Sequence, residues 1–146
     1  MDLATPVSVI MTTDLIIVRP SDPLKVAADA FRKNNIHHLP VVDEKGALVG
    51  MFSKSDYHRV GSAWKAFQKR KGEIVEDEFY NEKVVIGEVM TKDVVRLTAN
   101  DTISVAMGIF KENLFHSIPI VEKNILVGLV TTYDLLKFAF QEHGII

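Results

Sequence analysis

The sequence predicts a mixed α/β (α+β) fold made of two β-α-β-β-α units. Three features lead to this prediction: a long internal repeat, an amphipathic helical stripe in each copy, and two short apolar runs at hairpin spacing after each stripe. The repeat is plainest where HHLPVVDEKGALVG, from His37 to Gly50, returns as HSIPIVEKNILVG, from His116 to Gly128. Each copy therefore encodes the same structural unit.

The two copies stay in register over most of the chain, with one residue dropping out near Lys45. The corresponding residues include Met11 and Met90, Asp22 and Asp101, Phe31 and Phe110, His37 and His116, Pro40 and Pro119, and Asp56 and Asp134. A coincidence of composition does not hold a register over such a distance. The chain is a tandem repeat.

Each copy contains one clear amphipathic helix. Apolar residues recur at helical spacing, as Leu24, Ala27, Ala28 and Phe31 in the first copy and as Ile103, Ala106, Met107 and Phe110 in the second. Ser21-Asp22-Pro23 and Asn100-Asp101-Thr102 precede these stripes and supply the residue types that cap helices.

Short β-type runs surround each helix, and a second helix follows them. The runs before the helices are Leu15 to Val18 and Val94 to Leu97; those after them are Leu39 to Val42 with Leu48 to Phe52, and Ile118 to Val121 with Ile125 to Val130. The second helices are expected to begin near Lys54 and Thr132. A small sheet with helices on one face leaves its other face uncovered, so the two copies are expected to pack sheet against sheet.

Composition narrows the class of protein. The chain has 146 residues, 47% hydrophobic and 25% charged, as in ordinary globular proteins, and a formal net charge of −2. No global basic field favours nucleic acid or an acidic membrane. The absence of cysteine excludes disulfides and thiolate metal sites. No secretion signal or long apolar segment is recognised, so a cytoplasmic protein is expected.

The repeated pattern MT..D…D…A…F…H..PVVD…LVG..S..D resembles the CBS domain, and its tandem form resembles a Bateman module. The resemblance implies one domain over residues 5–60, a helical extension and charged linker over 61–83, and a second domain over 84–141. It also implies pseudo-twofold packing, with clefts between the two domains that hold adenine nucleotides or related adenosyl compounds. Flat homodimers are common in this family.

A short segment at the second strand–helix boundary carries the candidate chemistry in each copy. It reads G-h-h-[ST]-x-x-D, with Ser53 and Asp56 in the first copy and Thr131 and Asp134 in the second. One interpretation is a capping box, in which the hydroxyl and the acid satisfy helix amides. The other is a ligand site, because a helix N-terminus favours phosphate and a carboxylate accepts ribose hydroxyls. The two interpretations are compatible, and the resemblance assigns these contacts to nucleotide phosphate and ribose.

The resemblance also assigns to the nucleotide site the proline at the start of each hairpin and the three residues before it. They are His37, His38, Leu39 and Pro40 in the first copy and His116, Ser117, Ile118 and Pro119 in the second. His38 and Ser117 stand where many relatives carry arginine, which weakens anion binding at neutral pH. Leu39 and Ile118, with Ile36 and Phe115, are either apolar walls or core. A metal site is not expected, because adjacent histidines in an extended segment point apart.

Two apolar helical stripes remain to be explained. Tyr57, Val60, Trp64 and Phe67 continue a helix beyond the first copy, which is either a solvated extension or a contact surface for a dimer or partner. The last helix, from Tyr133 to Phe140, is apolar on nearly every side. Such a helix is expected to be buried on more than one face, which predicts a homodimer.

The chain lacks the common catalytic motifs, so no enzyme is expected. The sequence predicts a stand-alone regulatory module whose ligand is AMP, ADP, ATP, NAD or S-adenosylmethionine, with no required cofactor and with an unidentified protein effector. The alternative is a structural or adaptor dimer whose nucleotide sites are degenerate.

Overall fold

The computed structural model describes residues 2–70, 72, 80–112 and 115–142. A 3-10 turn at Val7–Val9 comes first. The elements that follow are α1 (Leu24–Lys33), β1 (His38–Val42), β2 (Leu48–Ser53), α2 (Lys54–Arg70), α3 (Tyr80–Lys83), α4 (Ile86–Val89), α5 (Ile103–Lys111), β3 (Ser117–Glu122), β4 (Ile125–Thr131) and α6 (Thr132–Glu142). The acidic part of the predicted linker, residues 73–79, lies outside the described residues.

Both predicted hairpins are present, and their turns explain the one-residue difference between the copies. β1 pairs with β2 and β3 with β4, each antiparallel. The second turn is the two-residue Lys123–Asn124 segment, with φ of 49° and 67°, the left-handed pair that a tight hairpin requires. The first turn is longer, and the Asp43 carboxylate stabilises it by accepting hydrogen bonds from the backbone of Lys45 and Ala47, both at 2.9 Å.

The strand that precedes each first helix is much shorter than predicted. Val18 forms a single parallel bridge with Val41, and Leu97 forms the matching bridge with Ile120. Each bridge uses two backbone hydrogen bonds, such as those from Val18 to Pro40 at 3.1 Å and from Val42 to Val18 at 3.0 Å. The mixed α/β architecture is as expected, with the leading strands reduced to one paired residue.

The caps of the first helices differ between the copies. Thr102 caps α5 as predicted, with its hydroxyl accepting from the Val105 amide. The predicted side-chain cap of α1 is wrong, because Pro23 occupies the N-cap position. The Asp22 carboxylate instead accepts a hydrogen bond from the Arg19 amide at 2.8 Å, which closes the preceding turn.

The chain forms two compact units, and each contains parts of both repeats. The central unit is Ile16–Asp93, and the terminal unit is Met1–Leu15 with Val94–Ile146. Within the central unit the Thr91 backbone exchanges two 2.9 Å hydrogen bonds with Met51. Within the terminal unit Thr12 bonds Leu129 in the same way, at 2.8 and 2.9 Å. The Met-Thr segment that begins each repeat therefore completes the hairpin of the other repeat.

Each unit has its own hydrophobic core. The central core is built around fully buried or nearly buried aromatic and aliphatic residues, namely Val18, Leu24, Ala27, Phe31, Leu39, Val41, Phe52, Tyr80 and Ile86. The terminal core is aliphatic in its buried described residues, which are Val7, Leu97, Ala106, Ile118, Ile120 and Val130. Full burial of one such side chain contributes about 1.5–3 kcal/mol.

The helical stripe of α2 is mostly core. Tyr57, Val60 and Trp64 are partly buried against the central core. The Tyr57 hydroxyl also donates to the Asn81 side chain at 3.0 Å, which ties α2 to α3. Phe67 remains exposed.

Two glycines allow the Met-Thr segments to approach the hairpins. A β-carbon at Gly50 would lie 2.7 Å from both the Met90 sulfur and the Thr91 carbonyl oxygen. The three atoms nearest to a β-carbon at Gly128 all belong to the Met11 side chain, with its sulfur at 2.5 Å. A flexible methionine side chain adjusts more easily than backbone.

We predict that Gly50→Ala is more destabilising than Gly128→Ala. The Gly50 substitution displaces paired backbone and should lower the free energy of unfolding by about 1–3 kcal/mol, whereas the Gly128 substitution requires only a methionine rotamer change. Gly108→Ala is the control, since nothing lies within 4 Å of its β-carbon position and alanine favours a helix by up to about 1 kcal/mol. Urea unfolding followed by circular dichroism checks the order, and equal losses at Gly50 and Gly128 would contradict it.

Candidate functional site

The two predicted ligand segments lie where the second hairpin strand of each unit runs directly into a helix. We call residues 53–56 the central junction and residues 131–134 the terminal junction. β2 ends at Ser53 and α2 begins at Lys54, while β4 ends at Thr131 and α6 begins at Thr132. The predicted helix starts are confirmed.

The central junction forms a complete capping box. The Asp56 amide donates to the Ser53 hydroxyl, and the Ser53 amide donates to the Asp56 carboxylate, both at 3.0 Å. The Ser53 hydroxyl also lies 3.0 Å from the Ser55 hydroxyl. This reciprocal arrangement satisfies helix amides and fixes the carboxylate at the start of α2.

The terminal junction repeats the box and adds a hydrogen bond from the hydroxyl to the carboxylate. The Thr131 amide donates to Asp134 Oδ2 at 2.8 Å, and the Asp134 amide donates to the Thr131 hydroxyl at 3.2 Å. The Thr131 hydroxyl also donates to Asp134 Oδ2 at 3.1 Å. The carboxylate is therefore held at the N-terminus of α6, where the helix dipole favours negative charge.

The second oxygen of each carboxylate has a different kind of partner in the two junctions. In the central unit the Arg59 guanidinium donates to Asp56 Oδ1. In the terminal unit the Thr12 hydroxyl donates to Asp134 Oδ1 at 3.2 Å. One carboxylate thus holds a fixed cation and the other a neutral hydroxyl.

The entry of each hairpin lies beside its junction. His38 pairs across the hairpin with Ser53, and Ser117 pairs with Thr131. The carbonyl of His37 accepts from the first amide of α2 at 2.9 Å, and that of His116 accepts from the first amide of α6 at 3.4 Å. The His37 and His116 side chains are exposed, and Ser117 is buried.

The remaining predicted site residues are buried, and two of them belong to the cores. Leu39 and Ile118 are fully buried members of the central and terminal cores. Pro40 and Pro119 are buried in the strands, where their carbonyls accept from Val18 and Leu97. Their direct part in a ligand site stays a prediction.

Neither a metal centre nor a membrane span is found in the part of the chain that the structure describes. No group of three or more histidine, aspartate or glutamate side chains there could hold a metal ion. None of the described helices combines the length and the apolar character that a membrane span requires.

Comparison with known proteins matches both repeats to one known family. The family model for the CBS domain matches residues 7–62 and 86–140. The chain belongs to the CBS domain family. It is a tandem pair, and one CBS match falls on each repeat.

Several proteins resemble the CBS pair over nearly its whole length. MJ1404 of Methanocaldococcus jannaschii is 30% identical over 139 residues, which are 92% of this chain but 32% of that protein. The chain therefore spans about a third of the length of this relative. The structure of MJ1225 from the same organism superposes with a TM-score of 0.81 and 27% identity, and the match covers 95% of this chain and 49% of that one.

Two further CBS structures contain adenosine-based ligands. CBSX2 in complex with AMP has a TM-score of 0.78 and 22% identity, with 95% of this chain and 98% of that chain covered. The CBS pair of MJ0100, in complex with 5′-methylthioadenosine and S-adenosyl-L-methionine, has a TM-score of 0.72 and 24% identity, and the match again covers 95% and 98%. At these identities the likeness establishes the fold.

Two residues that contact the junction carboxylates were not predicted. Arg59 follows Asp56 by three residues on a helix, a spacing that itself favours an ion pair. Thr12 is distant from Asp134 in sequence, and only the exchange of Met-Thr segments brings it near. No local pattern signals the second contact.

We predict that Thr131→Ala lowers the free energy of unfolding by about 1 kcal/mol, because the Asp134 amide loses its hydroxyl acceptor. Thr131→Ser keeps that hydroxyl and should retain most of the stability. Thermal or urea unfolding of both variants checks this expectation. A serine variant as unstable as the alanine variant would show that the threonine methyl group, rather than the cap, matters.

Proposed function

We propose that this CBS pair is a regulatory module that binds an adenine nucleotide or a related adenosyl ligand at its strand–helix junctions. The observation that carries the proposal is the fixed carboxylate at the start of each helix, with Asp134 held by Thr131 on one oxygen and by a neutral hydroxyl on the other. A carboxylate so oriented accepts hydrogen bonds from the two hydroxyls of a ribose. The proposal includes no catalytic step.

The helix N-terminus beside each carboxylate suits the 5′ substituent of the ligand. The positive end of the α6 dipole attracts an anion such as a phosphate, even though the first amide of α6 donates to His116 and the Asp134 amide to Thr131. Thr131 lies at the end of β4 next to these amides, and Ser117 and His116 lie across the hairpin from them. We infer that Ser53, His37 and His38 serve the central junction in the same way.

The ligands of similar proteins narrow the proposed class. AMP, 5′-methylthioadenosine and S-adenosyl-L-methionine, which are bound in CBSX2 and MJ0100, share an adenosine group and differ in charge at the 5′ position. Recognition of the shared adenosine group depends more on a protein carboxylate that binds the ribose than on a protein side chain that binds a phosphate strongly. Neither His38 nor Ser117 supplies the permanently charged guanidinium of an arginine, which is compatible with that chemistry. The choice among AMP, ADP, ATP, NAD and S-adenosylmethionine belongs to experiment.

A regulatory role requires that the ligand favour one state of the protein over another. A ligand shifts an equilibrium only by the difference in its affinity for the two states. A cytoplasmic effector protein that distinguishes those states is part of the proposal. Its binding surface is not assigned.

We predict that millimolar AMP, ATP or S-adenosylmethionine raises the melting temperature of the full chain. A ligand at 100 times its dissociation constant adds about 2.7 kcal/mol, which amounts to several degrees for a chain of this length. Asp134→Asn keeps a capping acceptor and removes the charge, so it should abolish most of the shift. Differential scanning fluorimetry measures both effects.

Asp93→Asn is the matched control for this experiment, because it removes the same charge from an exposed position. The control should keep the full ligand-induced shift. An unchanged melting temperature with all three ligands would contradict the proposed function.

A second candidate function, a dimeric adaptor, is favoured by the exposed apolar face of α6. Tyr133, Leu136 and Phe140 are 67%, 54% and 41% exposed and lie at helical spacing. Exposed apolar surface of this kind is typical of an interface, and a second copy of the chain is the partner we propose. The adaptor would act through the dimer without a ligand response.

We predict that Leu136→Glu converts a dimer into a monomer, because it places a charge in the apolar face. Gln141→Glu adds the same charge on the same helix at an exposed position outside these three residues and should leave the dimer intact. Size-exclusion chromatography with light scattering measures the mass of each variant. A monomeric unmodified chain would contradict self-association through α6.

A further inference from the structure

The two junction carboxylates are not equivalent, although the repeats correspond residue by residue. Arg59 forms an ion pair with Asp56 within α2. The corresponding cation in the second repeat is Lys137, and no ion pair between Lys137 and Asp134 is found among the described residues. Asp134 bonds Thr12 instead.

We propose that Arg59 competes with the ligand for Asp56, so that the central junction binds a ribose more weakly than the terminal junction. This inference rests on the proposed function, because it concerns the same carboxylates. Arg59 is an affinity-determining residue in this account, and the terminal junction is the principal site.

The chemistry of the two partners explains the difference. The Asp56 side chain is only 11% exposed and already accepts the Ser53 amide on Oδ2. Its Oδ1 is taken by the Arg59 guanidinium, which remains charged at every physiological pH. A ribose that binds there replaces an ion pair, in which both groups are charged, with hydrogen bonds in which only the carboxylate is charged.

The exchange at Asp134 is less costly. Thr12 contributes a neutral hydroxyl at 3.2 Å, and that hydroxyl can rotate to bond water or the ligand once it is displaced. One hydrogen bond from a neutral hydroxyl to the carboxylate replaces another of the same kind. The Asp134 carboxylate therefore keeps more of the free energy that the ribose hydroxyls provide.

The long side chain of Arg59 is 71% exposed, so a second role for it, other than competition with the ligand, must be considered. In the alternative role, the guanidinium leaves Asp56 and binds the phosphate of the ligand. The two roles predict opposite effects of removing Arg59: competition predicts tighter ribose binding, and phosphate recognition predicts weaker nucleotide binding.

The test is an NMR titration of the full chain with AMP and with 2′-deoxy-AMP. The amide signals of Ser53 and Asp56 report the central junction, and those of Thr131 and Asp134 report the terminal junction. The ratio of the two dissociation constants isolates the ribose contact, since the phosphate is the same in both ligands. Arg59→Gln removes the cation, and Lys137→Gln is the matched control in the second repeat.

We expect Arg59→Gln to raise the preference for AMP over 2′-deoxy-AMP at the central junction by about twofold to about tenfold. The lower value is typical of an exposed ion pair, and the higher value is typical of a stronger charge-assisted hydrogen bond. Lys137→Gln should change neither junction. AMP binding at the central junction that appears only in Arg59→Gln would also support competition.

Two outcomes would overturn the role of Arg59 and leave the proposed function standing. One is weaker AMP binding in Arg59→Gln. The other is an unchanged preference for AMP over 2′-deoxy-AMP at the central junction, while the terminal junction binds AMP. No binding of AMP at either junction in any of the proteins would overturn both. The two failures are therefore distinguishable.

Discussion

The exchange of Met-Thr segments between the repeats is the constraint on which the rest of this structure depends. Thr91 completes the hairpin of the central unit through Met51, and Thr12 completes that of the terminal unit through Leu129. Each hairpin alone has two strands, which are marginally stable in water. Each unit of the structure therefore contains backbone from both repeats, and neither repeat by itself contains all the paired segments of a unit. The same exchange delivers the Thr12 hydroxyl to the Asp134 carboxylate.

Local patterns predicted most of the fold correctly. The helical stripes, the hairpins and the starts of α2 and α6 follow from side-chain periodicity and turn chemistry, which act within a few residues. The exchange of segments was not predictable in this way, because periodicity identifies an extended segment and not the hairpin with which it pairs. The prediction of a side-chain cap for α1 was wrong for a local reason. Pro23 occupies the N-cap position, and Asp22 closes the preceding turn instead.

The capping geometry at the candidate site was predicted correctly, and the part of these residues in ligand binding stays a prediction. The capping geometry of Ser53 with Asp56 and of Thr131 with Asp134 follows from the spacing of hydroxyl and acid. The partners of Asp56 Oδ1 and Asp134 Oδ1 were not predicted, although the spacing between Asp56 and Arg59 was visible in the sequence. These partners matter because a carboxylate has few acceptor positions, and each one that the protein occupies must be exchanged when a ligand binds. Under the proposal that Arg59 competes with the ligand, two equivalent motifs give two sites of unequal affinity.

The central claim is that a fixed carboxylate at a strand–helix junction binds the ribose of an adenosine ligand. A crystal structure of the full chain grown with AMP tests it most directly. The account predicts AMP at the terminal junction, with its ribose hydroxyls bonded to the Asp134 carboxylate and its phosphate near the first amides of α6. AMP bound elsewhere, or bound without contact to Asp134, would contradict the account.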